Sequence, residues 1–170
     1  MTIKKIAVIA IMAIVSMLVL CVSVYIGLFY TPIGKSFLLN RNIEQAEQYY
    51  SKQQYNEAAE RFSQIIKEKP EDEIIIFKLG KSHYMTNNYF PAIINFEKLL
   101  QIQPENNEAI DLLTKAYYKT KSYKKAVDLL KKKLEDDKEN IEIYIDLGDN
   151  YLGLQNHEKA TENYEIAYNK

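Results

Sequence analysis

The stretch KLGKSHYMTNNYFPAIINFEKLLQIQP, residues 78–104, carries the pattern from which the fold of this chain can be read. Its small residue, its aromatic residues and its alanine recur at one fixed spacing along the sequence. The alanines recur at Ala58, Ala92, Ala126 and Ala160. Their spacing is that of a helix–turn–helix unit in a stacked solenoid, which has a period of about 34 residues.

Other kinds of position keep the same register. A small or slender residue precedes each alanine, at Ala46, Gly80, Thr114 and Gly148. A large apolar or aromatic residue stands four positions after each alanine, at Phe62, Phe96, Leu130 and Tyr164. The first two repeats close with Pro70 and Pro104, and a proline there prevents the second helix from continuing.

These residues resemble the pattern of the tetratricopeptide repeat family, which has a Leu-Gly pair, an aromatic residue three positions on, then Ala, a large apolar residue and a closing Pro. The resemblance covers about residues 39–170. It implies an all-α fold in which about four helix hairpins, 39–72, 73–106, 107–140 and 141–170, stack as an α-solenoid. Gln45, Thr114 and Lys138 depart from the pattern. We expect looser packing in the third and fourth repeats.

The apolar residues within each repeat recur three and four positions apart, which predicts amphipathic helices. We expect eight helices in the repeats, at 39–52, 55–68, 73–86, 89–102, 107–120, 123–136, 141–153 and 157–169. A single hairpin cannot bury its apolar stripe alone, so neighbouring repeats must stack.

The N-terminal segment has a different composition. A short basic tail, residues 1–5, is followed by a long uncharged segment, Ile6–Tyr30. A helix of this length spans roughly 37 Å, enough to cross the core of a bilayer. We therefore predict a transmembrane signal-anchor helix at 6–30. Pro32 and Gly34 are expected to end it, with residues 31–38 as a linker.

Two alternatives to an uncleaved anchor concern processing of this segment. A cleaved signal peptide usually has an apolar core of about 7–15 residues and an Ala-x-Ala-like exit, and neither is present here. The run Leu18–Cys21 resembles a lipoprotein box, but Leu20 stands where a small residue is usual. We favour an uncleaved anchor, and lipidation of Cys21 stays an open alternative.

The orientation of the span depends on the basic residues that flank it. Lys4 and Lys5 precede the span, while Lys35 and Arg41 follow it, so the comparison is nearly balanced. We favour repeats on the extracytoplasmic side, in a bacterial periplasm or a similar space. Repeats facing the cytosol remain an alternative.

Composition argues against several classes of function. The chain has 22 basic and 23 acidic residues; two of the basic ones precede the span, which leaves 20 against 23 and a net charge of −3 beyond it. This is no electrostatic footprint for nucleic acid. His83 occupies a register position held elsewhere by tyrosine, so it is predicted to be a packed core residue. Neither His83 nor His157 has a partner at metal-ligand spacing, and we predict no catalytic, metal or cofactor site.

The resemblance implies that the first helix of each hairpin lines a concave groove. The groove positions in this sequence hold aromatic, aliphatic and charged residues: Ile43, Glu47, Tyr50, Phe77, Lys81, Tyr84, Asp111, Lys115, Tyr118, Ile145, Asp149 and Leu152. Aromatic anchors with a few charges suit an extended or helical peptide. Family members that clamp a terminal carboxylate use Lys and Asn at two sites that here hold Ile43 and Glu47, so that specificity is not expected. The competing interpretation is that the tyrosines only complete packing between repeats.

The sequence thus predicts a non-enzymatic, membrane-anchored scaffold that binds a protein or peptide, in bacterial envelope assembly, secretion or chaperoning. The alternatives are a structural subunit of a larger membrane complex and a cytosol-facing adaptor. Self-association is a further alternative, because the last helix carries Tyr164, Ile166 and Tyr168 with no polar capping helix after it. Lys133 occupies a position that holds Ile65 and Leu99 in other repeats, which predicts a weak point in the stack.

Overall fold

The computed structural model of the protein describes residues 3–170 and, within that range, contains nine α-helices and no strand. The helices are α1 Ile3–Tyr30, α2 Pro32–Ser51, α3 Tyr55–Glu68, α4 Glu73–Met85, α5 Tyr89–Ile102, α6 Asn107–Lys119, α7 Tyr123–Asp136, α8 Ile141–Gly153 and α9 His157–Asn169. The predicted all-α fold is confirmed, and α3–α9 match the predicted helices to within one residue at each end.

The chain divides into two compact units, one up to Gln45 and the other from Ala46 to Lys170. In the first unit, the segment Val8–Gly27 of α1 is 20 residues long, has a mean hydropathy of 2.7 and is not buried against other parts of the chain. Its length and composition are those of a membrane span, and a signal sequence near an N-terminus meets the same criteria.

The expected linker at 31–38 is wrong, because α2 begins at Pro32 and Thr31 alone separates it from α1. The Gly34 N–H donates to Thr31 Oγ1 at 3.2 Å, and the Lys35 N–H donates to the Thr31 carbonyl at 2.9 Å. Thr31 therefore caps a new helix. The first N–H groups of a helix have no partner within it, so Pro32 loses nothing at this position.

The core of the second unit forms where the second helix of a repeat lies against the small residue of the first helix. Phe62 and Phe96 are fully buried. A Cβ added to Gly80 would lie 2.9 Å from Phe96 Cε1, and one added to Gly148 would lie 2.4 Å from Tyr164 Cε1. At Gly80 and Gly148 the small residue is thus required by the ring that packs on it, and its small size allows the two helices to approach closely.

The turn inside each hairpin has the same backbone in all four repeats. Its residue in the left-handed region has a φ of 59° or 60°, and the four residues are Gln53, Asn87, Lys121 and Gln155. They recur with the same period as the alanines, and in each turn the next N–H donates back to the first helix, as from Asn88 to the His83 carbonyl at 2.8 Å. The four hairpins therefore share one turn geometry.

The first helices of repeats two to four begin at side-chain caps. Asp72 accepts from the Ile75 N–H at 3.2 Å, Asn106 from the Ala109 N–H at 3.0 Å, and Asn140 from the Glu142 N–H at 3.1 Å. Such caps satisfy N–H groups that have no intrahelical acceptor. Caps of one chemical kind thus mark the boundary between consecutive repeats.

His83 differs in part from the expected packed core residue. It is half-buried, yet its Nδ1 atom is buried and has no hydrogen-bond partner among the described residues. Burial lowers the pKa of its imidazole. Histidine fits this register position, but one of its ring nitrogens has no hydrogen-bond partner there.

Candidate functional site

The predicted groove residues from Glu47 onward lie on the first helices of the repeats, which are the end of α2 and helices α4, α6 and α8. Two ion pairs connect these helices in the same way, one repeat apart. Lys81 Nζ on α4 lies 2.7 Å from Glu108 Oε1 on α6, and Lys115 Nζ on α6 lies 3.6 Å from Glu142 Oε1 on α8. Two of the predicted groove lysines therefore bridge neighbouring repeats.

The first repeat reverses the charge of this position. Glu47 stands where the second and third repeats have lysine, and it pairs with Lys78 of α4. The Lys78 ammonium also lies 5.5 Å from the centroid of the Tyr50 ring. Glu47 and Tyr50 thus contact the same cation of the next repeat, a cation–π and ion-pair arrangement that holds the two first helices together.

Three groove tyrosines make the same ring contact. Tyr50, Tyr84 and Tyr118 each meet, edge to face, the tyrosine that begins the next helix, with centroid distances of 5.7, 5.6 and 5.6 Å. Tyr118 is 40% exposed, whereas its neighbour Tyr117 is 6% exposed. The ring contacts orient these tyrosines but leave part of Tyr118 accessible to solvent.

Tyr117 is a tyrosine whose side chain serves in packing between helices. Its hydroxyl donates to Glu97 of α5, and the Lys125 ammonium lies 5.3 Å from its ring centroid. Burial and the bond to Glu97 raise the pKa of Tyr117. Adjacent tyrosines of one helix are thus divided between the core and the exposed surface.

Several predicted groove residues are engaged in packing or point to other neighbours. The Phe77 ring lies 6.2 Å from that of Phe96, so it belongs partly to the core. Asp111 pairs with Lys133 of α7. Ile145 is exposed on α8, and Ile43 is half-buried on α2 within the first compact unit. Within the second unit, Phe77 and Asp111 are therefore engaged in contacts inside the chain, while Ile145 is exposed.

A pocket of about 160 Å³ opens between α4, α6 and α8. Four of its lining residues were predicted for the groove: Tyr84, Lys115, Tyr118 and Asp149. Four others were missed: Thr114, Lys119, Asp146 and Asn150. Asn150 had one usable signal, since it is a large polar residue at a register position that holds the small residues Ser82 and Ala116 in the second and third repeats.

The two carboxylates of this pocket have different surroundings. Asp149 Oδ1 accepts from the Tyr164 hydroxyl at 2.6 Å. Burial, together with this bond, raises the pKa of Tyr164 to about 12. Burial also raises the pKa of Asp146, opposed by the nearby Lys115 ammonium. Asp146 is a half-buried carboxylate without a direct ion pair in the described part of the chain.

Among the described residues of 3–170, no group of three or more His, Cys, Asp or Glu side chains is placed to bind a metal ion. The arrangement consists of aromatic surface, paired charges and one small polar pocket. Chemically it is suited to holding a ligand by contact and hydrogen bonding.

Part of the sequence matches a known family model, and the fold matches solved structures. The family model for anaphase-promoting complex, cyclosome, subunit 3 matches residues 85–167. No curated protein matches the sequence.

Solved structures of MamA are similar in fold. The AMB-1 form is 16% identical with a TM-score of 0.71, and the match covers 77% of this chain and 72% of that one. MamA from Desulfovibrio magneticus RS-1 is 19% identical with a TM-score of 0.67, covering 77% and 74% of the two chains. Another MamA crystal structure is 22% identical with a TM-score of 0.67, covering 76% and 70%. The resemblance to the tetratricopeptide pattern is confirmed at the level of the fold.

Proposed function

We propose that this chain, a helical-repeat protein with a tetratricopeptide-like fold, is a membrane-anchored interaction module that binds a protein or peptide along its first-helix groove. Folds of this class are extended surfaces that typically recognise other proteins. The observation that carries the proposal is the set of groove tyrosines, which are oriented by ring contacts yet keep an exposed edge at Tyr118. Aromatic side chains presented in this way are typical anchors for a partner.

The charges along the groove support the same function. Lys81 and Lys115 bridge neighbouring helices through Glu108 and Glu142, so the surface between the tyrosines carries paired ions. Paired charges at a partly exposed surface contribute little to stability. They can exchange partners with a ligand at little cost, and they favour a complementary sequence over an unrelated one.

The apolar segment Val8–Gly27 supports membrane anchoring. In this proposal α1 spans the bilayer and the repeats lie on the extracytoplasmic side of a bacterial membrane, where the module recruits a protein during envelope assembly, secretion or chaperoning. Protease treatment of sealed inverted and right-side-out vesicles tests the sidedness. Digestion of the repeats only in the right-side-out vesicles is expected, and digestion only in the inverted vesicles would favour the cytosol-facing adaptor.

The groove is tested by crosslinking the full chain in native membranes and identifying the attached proteins by mass spectrometry. The variant Tyr84→Ser/Tyr118→Ser should lose the specific crosslinks of the wild type. The matched control is Phe90→Ser/Ile94→Ser, which removes two exposed apolar side chains from α5 outside the groove. The control should keep the crosslinks.

Two outcomes would contradict the proposal. If the groove variant, folded by circular dichroism, keeps every crosslink, the tyrosines are packing residues. If crosslinks survive the groove substitutions but vanish when α1 is replaced by an unrelated span, the chain is held in a complex through its membrane helix.

A further inference from the structure

We propose that the pocket between α4, α6 and α8 receives an arginine side chain of the bound peptide. This inference rests on the proposed peptide binding in the groove and identifies the residue type that anchors the peptide there. The pocket measures about 160 Å³ and is formed by three consecutive first helices. A ligand in it would contact three repeats at once.

The walls provide aromatic surface on one side and carboxylates on the other. Tyr84 and Tyr118 line the pocket, and their rings are held by edge contacts with Tyr89 and Tyr123. A guanidinium group stacks well on tyrosine faces because it is planar and weakly hydrated. An aliphatic side chain would also fit against these rings, so the polar residues of the pocket determine which kind of ligand it binds.

Asp146 and Asp149 supply the negative charge. Asp149 Oδ1 is occupied by the Tyr164 hydroxyl, which leaves its second oxygen for a ligand. No ion pair is formed by Asp146 within the described part of the chain, although Lys115 is near enough to influence its titration. Two carboxylates with free acceptor positions match the several donors of a guanidinium fork.

Asn150 gives an independent reason to expect a donor in the ligand. The residue is 2% exposed, and its Nδ2 donates to the Asp146 carbonyl at 2.8 Å. That bond sets the orientation of the amide, because a flipped group would place two acceptors together. Asn150 Oδ1 is then a buried acceptor with no partner in the described residues. A buried acceptor without a donor is costly, and an entering N–H group would satisfy it.

The lysines of the pocket do not favour an anionic ligand instead. The charge of Lys115 is shared between Glu142, at 3.6 Å, and the nearby Asp146, and Lys119 is exposed. An anion would have to approach Asp146 and Asp149, and would leave Asn150 Oδ1 without a donor. The lining therefore discriminates in favour of a cation that carries several N–H groups.

The inference is tested by NMR titration of the full-length ¹⁵N-labelled protein in detergent micelles. The probes are the N-acetyl methylamides of arginine, of citrulline, which is its neutral isostere, and of glutamate. Arginine should shift the side-chain amide signals of Asn150, identified with the Asn150→Ala variant. Its affinity should exceed that of citrulline by roughly tenfold, which is the scale of one charge-assisted hydrogen bond.

Two variants locate the effect. Asp146→Asn should reduce arginine affinity by roughly tenfold on the same scale, and Asp149→Asn serves as the second substitution if the first lowers folding. Asp136→Asn, on an exposed carboxylate of α7, is the matched control and should change nothing.

Equal affinity for arginine and citrulline, tighter binding of glutamate, or the absence of any shift at Asn150 with all three probes would overturn the inference. These results are separable from the groove crosslinks. Loss of arginine selectivity with retained tyrosine-dependent crosslinks removes the arginine subsite alone, while arginine binding without such crosslinks removes the proposed protein partner alone.

Discussion

Lys133 on α7 forms an ion pair with Asp111 on α6, at a register position where the first two repeats have the buried side chains Ile65 and Leu99. Only 14% of the Lys133 side chain is exposed, so its stem fills part of the apolar site while its ammonium reaches the carboxylate. The ion pair explains how a lysine is accommodated inside the stack.

Replacing Lys133 with leucine is expected to stabilise the protein by about 1 kcal/mol. The leucine would bury more apolar surface, and Asp111, which is 45% exposed, would regain water when its partner is lost. Urea unfolding of full-length protein at neutral pH measures the free energy. The control Lys132→Leu, on an exposed neighbour, should give no gain, and a less stable Lys133→Leu would show that the ion pair outweighs the apolar contact.

Replacing Gly148 with alanine should destabilise the protein by about 1–3 kcal/mol, although alanine is the better helix former. The new Cβ would lie 2.4 Å from Tyr164 Cε1, so the ring would have to move. The third repeat indicates a compensating change, since it pairs Thr114 with the smaller Leu130. Thermal unfolding should show that the double variant Gly148→Ala/Tyr164→Leu recovers much of the stability lost in Gly148→Ala. If the double variant instead loses the sum of the stability lost in the two single variants, the residues do not contact each other directly.

Replacing His83 with tyrosine, the residue at this position in the other repeats, should stabilise the protein by about 1 kcal/mol by removing a buried nitrogen without a partner. It should also change the dependence on pH. The folded-state pKa of His83 lies below its ordinary value of 6.5, so the stability due to the neutral ring is present above pH 6.5 and lost as the pH falls below it. Between pH 5.5 and 8, the free energy of unfolding should therefore change less with pH in the variant than in the wild type. Equal pH dependence in the two proteins would refute this role of the His83 ring.

Replacing Lys121 with glycine should raise the free energy of unfolding by about 0.5–1 kcal/mol, because a lysine at φ 59° is strained and glycine is not. The matched change Lys132→Gly lies eleven residues later in the interior of α7, where glycine should cost about 0.5–1 kcal/mol. Chemical denaturation of both variants is the measurement, and effects of the same sign would contradict the assigned turn.

The sequence was sufficient for the repeats because several independent signals have the same period. The alanines, the small residues and the large apolar residues all mark the helix crossings, and the ends of α3–α9 follow from them. The start of α2 could not be predicted from Pro32 and Gly34, which were interpreted as helix breakers. Pro32 is a first-turn residue, and Gly34 supplies the N–H that Thr31 caps.

The turns and the pocket lacked such signals. Gln53, Lys121 and Gln155 have no preference for the left-handed region, so only their place between two packed helices imposes it. The pocket depends on which side chains of three helices converge, and Thr114 and Asp146 lie outside the predicted groove stripe. Four predicted groove residues nevertheless line the pocket, because the repeat register places them on the equivalent face of each first helix. Which of the predicted groove residues contact a partner stays a prediction.

The shared caps and turns also bear on how such a chain can change in length. Excision of residues 73–106 would bring Asp72 directly before Asn107, where Asn106 now caps α6, so the new boundary would keep a capping residue of the same chemistry. The left-handed turns on either side of the excision would still be separated by one full repeat. Duplication of a repeat follows the same rule in reverse. Recombination can therefore lengthen or shorten this protein in whole steps of one repeat, while an insertion of any other size within a helix would shift its buried face away from the neighbouring helix.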